Sequence, residues 1–131
     1  MTQQLKQMTT LTLSKLEGLL EAFFEHEIIL KLYHFHTKRY GAHKASDAYR
    51  SKFLANMDQF MEVAQGIVGT VKQRDIQVNA RMVSDSTVGK QLDSFIKLVN
   101  SARFKAHPEL HAIIDIMVAD ANQLKYLLTF E

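Results

Sequence analysis

The 131-residue sequence has no cysteine, one proline (Pro108) and five glycines. Without thiols there is no disulfide, zinc knuckle, iron–sulfur cluster or cysteine nucleophile, so any metal site must use histidine and carboxylate. With so little proline and glycine, the repeated tight turns of a β protein lack material, and helix is the expected class. No apolar run approaches the ~20 residues that cross a bilayer. Residues 1–10 are polar, so no membrane partner is expected and the chain is expected in a cytoplasm, its own or a host's. The formal net charge is only +2 and the basic residues are scattered. Contact with DNA is therefore permitted but not indicated.

Four helical periods are present. Leu11, Leu13, Leu16, Leu20, Phe23 and Leu30 recur at three- and four-residue steps, the spacing of a helix with one buried stripe. Thr10 or Thr12 can cap it, and it should run to His34 or Thr37. Thr37 to Gly41 reads as a short connection. A second helix, from Gly41 or Ala42 to Val71, would be on the order of 45 Å long. Residues 73–86 are mostly polar and read as a linker with room for one helical turn. Asp85 or Ser86 can cap a third helix with the stripe Val88, Leu92, Phe95, Ile96 and Val99. His107-Pro108 restarts a fourth, along Leu110, Ile113, Ile114, Met117, Ala121, Leu124 and Leu128. No internal repeat is present. The expectation is one all-α domain over residues 1–131, an antiparallel four-helix bundle.

On a helical wheel the second helix gathers Tyr49, Phe53, Met57, Phe60, Ala64, Ile67 and Val71 within about 90°. Asp58 and Glu62, four residues apart, share a face roughly opposite. Leu54 and Met61 lie between these acids and the direction of His43. Apolar residues beside paired acids indicate a second buried surface, an association face. The plainer alternative is a solvated side of a long helix.

His34, His36 and His43 flank the first turn, and imidazole with carboxylate is the usual ligand set for non-haem iron and similar divalent metals. A di-iron bundle centre needs inward Glu-x-x-His pairs, and none of the six histidines has an acid three residues before it. His43 and Asp58 stand fifteen residues apart on one helix, about 22 Å along the axis, too far for one ion. If the second helix packs antiparallel on its own copy about a two-fold axis, turn histidines of one chain approach the acids of the other.

The run His34-Phe35-His36-Thr37-Lys38-Arg39-Tyr40-Gly41-Ala42-His43, then Tyr49 and Asp58-x-x-x-Glu62 with Ala64, resembles the Dps-like mini-ferritins over roughly residues 30–66. The shortened turn also resembles that of short viral and bacterial ferritin-like proteins with His-Trp-x-Thr-Lys-x-Tyr-x-x-His. Here the first two histidines are nine residues apart instead of twelve, Phe35 replaces tryptophan, and Val63 stands where arginine commonly follows the glutamate. The resemblance implies a ferroxidase: Fe(II) held between subunits by His34, His43, Asp58 and Glu62, oxidised, and stored in a hollow shell. His36 is the substitute for His34 if the short turn displaces it. Two other readings stay open: a bundle without iron chemistry serving a structural or interaction role, and a DNA-associated protective protein.

Glu27 falls on the inner stripe of the first helix and needs a partner, a metal or histidine, or partial exposure. His107, His111 and Asp115 step by four and read as capping and surface residues. Lys38, Arg39, Lys44, Arg50 and Lys52 read as a solvated charge run. Met8, Met57, Met61, Met82 and Met117 share no face and read as packing residues.

Overall fold

A computed structural model describes residues 9–130. Met8 and most of the polar N-terminal segment lie outside the described residues. Helix α1 (Leu13–His36) begins at Thr12, whose hydroxyl accepts the Lys15 N–H at 3.2 Å, an ordinary N-cap. Three residues turn the chain into α2 (Tyr40–Val68). This helix stops at Gly69, whose φ of 99° lies in the left-handed region that glycine enters without strain. The chain then runs without helix to α3 (Val88–Ser101) and, after a short loop, to α4 (Pro108–Leu127), with Pro108 in the first turn.

Cross-helix contacts give the directions. Phe23 meets Phe53 and Phe60, and His26 meets Tyr49, so α1 and α2 are antiparallel. Asn56 meets Asp120 and Lys52 meets Gln123, so α2 and α4 are too. Lys125 meets Asp93 while Arg103 meets Asp115, which sets α3 against α4. Phe23 and His26 also reach Phe95 and Gln91, so α3 opposes α1. Every neighbouring pair is antiparallel, and α2 and α3 run the same way. They are joined by one crossover along the length of the bundle, which is the ferritin-like connectivity.

The crossover lies along α1. The Lys72 N–H donates to Glu17, Arg74 pairs with Glu21 at 2.7 Å, and Asp85 reaches Tyr33 and Thr37. Glu17 and Glu21 face it one helical turn apart. Val83 is the crossover residue buried most fully.

The core is the meeting of four stripes: Leu16, Phe23 and Leu30 from α1, Phe53 and Phe60 from α2, Leu92 and Phe95 from α3, and Leu110, Ile114 and Leu124 from α4. Its aromatic centre is set edge to face, with Phe53 and Phe95 centroids 5.3 Å apart at 84°.

Four expectations need correction. Met61 is 7% exposed and belongs to the core, because α2 packs against both α1 and α4 and buries an arc wider than 90°. Ile67 is 37% exposed and lies in the last turn of α2. Val71 is half-buried in the crossover, which starts at Gly69 instead of residue 73. The N-cap position of α3 is Thr87, without a side-chain cap bond, and Asp85 is used elsewhere.

Candidate functional site

His34 occupies the last turn of α1 and His43 the first turn of α2, facing each other across the short connection. Their rings stack with centroids 3.9 Å apart and planes 16° from parallel. His34 Nδ1 lies 2.8 Å from the His43 carbonyl oxygen, and His43 Nδ1 lies 2.9 Å from the His34 carbonyl oxygen. A carbonyl only accepts, so each Nδ1 must carry the proton and donate. In the neutral form of such a ring the lone pair lies at Nε2. Among the described residues neither Nε2 takes a hydrogen bond; His34 Nε2 has the Asp47 carboxylate 4.0 Å away. Pinning one ring nitrogen on a backbone carbonyl fixes tautomer and ring orientation, as found in histidines that bind metals.

His36 is the final residue of α1 and is exposed. It is His34, 8% exposed, that stacks on His43.

Asp58 and Glu62 are exposed on α2. They are close enough that Asp58, through a hydrogen bond and its charge, holds the Glu62 carboxyl above the usual range. Leu54, one turn away, is 41% exposed. The structure brings His34 to His43 and Asp58 to Glu62 but keeps the two groups apart, about 22 Å by helical rise. Among the described residues of one chain, no three histidine or acidic side chains converge to hold a metal.

Sequence reasoning missed His26. It is 1% exposed, stacks on Phe95 at 3.9 Å, and has both nitrogens occupied. Arg81 donates to the Gln91 side-chain oxygen at 2.9 Å, which fixes the amide and turns its NH₂ toward His26 Nδ1 at 3.1 Å. Nδ1 therefore accepts, and Nε2–H donates to the Tyr49 hydroxyl at 2.8 Å. Burial pushes the His26 pKa down to about 3 and raises that of Tyr49. One signal was available: His26 is one heptad from both Leu19 and Tyr33, on the inner stripe.

Glu27 pairs with Arg50. Arg39 donates to the Leu128 carbonyl and Lys52 to Gln123. Of the basic stretch, Lys38 and Lys44 are exposed and make no ion pair among the described residues. At the start of α4, His111 bonds the Phe104 carbonyl, Asp115 pairs with Arg103, and His107 lies 3.8 Å from Glu109. Met57, Met61 and Met117 are core residues, and Met82 is 63% exposed. No helix among the described residues is long and apolar enough to cross a membrane.

Residues 34–128 match the model of a family described as a family of unknown function (DUF5856), a match that begins at His34 and takes in the turn, α2, the crossover, α3 and α4. No curated protein and no solved structure matches the chain.

Proposed function

The chain belongs to this family of unknown function, and we propose from the site itself that it is a Dps-like iron-binding protein that oxidises Fe(II) between subunits and stores or detoxifies the product. One observation carries the reading. Two imidazoles meet at the turn between α1 and α2 with Nδ1 locked on backbone carbonyls and, among the described residues, no hydrogen bond on Nε2, and α2 also carries an exposed carboxylate pair. The donor set suits Fe(II), a borderline cation that takes imidazole nitrogen and carboxylate oxygen together. The ferritin-like connectivity supplies the scaffold.

An antiparallel two-fold contact of α2 with a copy of itself would bring His34 and His43 of one subunit beside Asp58 and Glu62 of the other. The axis would then cross the helix near residues 51 and 52. Ser51 is exposed and small there, which lets two helices approach, and the exposed Leu54 lies beside it. On α1, Leu20, Phe24 and Ile28 are half-buried at four-residue steps and extend the same apolar surface.

Within the shared site the carboxylates would hold the cation and favour its oxidised state, and the imidazoles would leave coordination positions open to the oxidant. Two Fe(II) ions each give up one electron, and hydrogen peroxide takes both with two protons and leaves as water.

The test is anaerobic Fe(II) addition followed by peroxide, read by Fe(III) absorbance. Wild type should oxidise iron far faster than buffer, and His43→Ala and Asp58→Ala should fall to the buffer rate while remaining folded. Mixing the two variants should restore about a quarter of wild-type activity, because each mixed dimer rebuilds one of its two shared sites. Wild type no faster than buffer would end the iron reading and leave the bundle a structural or interaction role.

A further inference from the structure

The turn that carries the imidazole pair is held by a residue from a distant part of the chain. Tyr33 donates its hydroxyl to Asp85 Oδ1 at 2.7 Å, and Thr37 donates its own to the same oxygen at 2.8 Å. Both donors are buried. The Thr37 oxygen also accepts the Arg39 N–H at 3.2 Å, and the Arg39 carbonyl accepts the His43 N–H at 2.9 Å. A hydrogen-bonded path therefore leads from Asp85 through Thr37 and Arg39 to His43, and a second contact ties Asp85 to Tyr33, next to His34.

We propose that Asp85 is a positioning residue for the His34–His43 pair: the crossover clasps the shortened turn from outside and sets two imidazoles in register for a divalent metal. The metal part rests on the function proposed above, whereas the positioning of the rings does not.

Three observations support the assignment. Helix α2 has no side-chain cap at Arg39, so its start is not set by an N-cap bond of its own. The two Nδ1 bonds are reciprocal, each ring to the other's backbone, so they survive only if both helix ends keep their separation to within a few tenths of an ångström. Asp85 is itself well anchored, between the buried Val83 and a turn in which the Ser84 N–H donates to the Thr87 hydroxyl at 2.8 Å. A carboxylate two residues before the N-cap of α3 is instead committed to the α1–α2 turn.

The test combines metal-free NMR of the histidine ring nitrogens with anaerobic Fe(II) titration. In Asp85→Ala the rings of His34 and His43 should lose their uniform Nδ1–H form, and Fe(II) affinity should fall about tenfold, as for outer supports of metal ligands. Asp85→Asn keeps an oxygen that accepts both hydroxyls and should restore both readouts. Glu21→Gln, which loosens the crossover at its other end, should change neither. Thr37→Val removes one arm of the clasp and gives a milder version should Asp85→Ala fail to fold. If Asp85→Ala, or Thr37→Val in its place, keeps both rings in the Nδ1–H form with Fe(II) affinity within about twofold of wild type, the proposal is overturned. If wild type binds no Fe(II) while the rings still respond to Asp85→Ala, the ferroxidase reading fails and the positioning role stands.

Discussion

Two histidine sites in this molecule are built on opposite principles. His26 is enclosed by three helices, and each ring nitrogen has a protein partner. His34 and His43 each spend one nitrogen on backbone, and among the described residues the other takes no hydrogen bond. A fully satisfied buried imidazole specifies packing, because any slip of α1 against α2 or α3 leaves a polar atom orphaned in a low-dielectric core. A half-satisfied imidazole at a helix end has its geometry set in advance and its lone pair available. Residue type does not separate the two cases; what the second nitrogen touches does.

The sharpest way to break the comparison is His26→Ala. Loss of the ring opens a cavity beside Phe53 and Phe95 and leaves Gln91 and Tyr49 without a shared partner, which should cost about 4 kcal/mol. Urea unfolding checks the cost, and Fe(II) binding should remain intact. A similar drop in iron binding would erase the distinction between the sites.

Glu27→Ala tests whether other buried polar groups follow the His26 pattern. Both side chains of the Glu27–Arg50 pair are mostly buried, and Arg50 Nε already lacks a hydrogen-bond partner. Removing the acid should destabilise the fold by about 2–3 kcal/mol, since a charge is left in the interior. Thermal unfolding reads it.

Acid should separate the sites without mutation. The His26 pKa is pushed down to about 3 from the ordinary 6.5, so between these values the unfolded chain binds a proton that the native state refuses. Its contribution is complete above pH 6.5, declines as pH falls toward 3, and should be smaller by about 2 kcal/mol at pH 5. Asp85, held low chiefly by the Tyr33 hydrogen bond, adds its own loss only at more acid pH. The His26 component is isolated by comparing unfolding of wild type and His26→Gln across this range; identical pH slopes would show that the ring is not buried neutral.

The smallest effect is expected for His43→Ala. It removes one imidazole-to-carbonyl bond at a half-buried position and should cost about 1 kcal/mol, while abolishing the iron oxidation proposed above. A stability loss as large as that of His26→Ala would mean that the turn histidines are structural as well.

Much of the architecture was legible before any coordinates. Helical periods are local, so the stripes from Leu16 to Phe23, from Phe53 to Ala64 and from Leu110 to Leu124 showed where the helices lie and which side they bury. The outward direction of Asp58 and Glu62 follows from the same arithmetic. Errors arose where burial depends on what a neighbour covers. Met61 sits at the edge of the stripe, and only the second flanking helix makes it core. Ile67 has the right phase but sits in the last turn of its helix.

The amino-acid sequence alone determined the helical class, the four segments, the absence of thiol chemistry and the outward acid pair, because each depends on residue type and on spacing within one turn or one helix. Tertiary structure decided which histidines are spent and which are free. Nδ1 of His26 is occupied by Gln91, 65 residues away, and the turn that aligns His34 with His43 is clasped by Asp85, 48 residues beyond Thr37. Contacts of that range exist only once the crossover has been laid along α1, and no local pattern records where a chain will return.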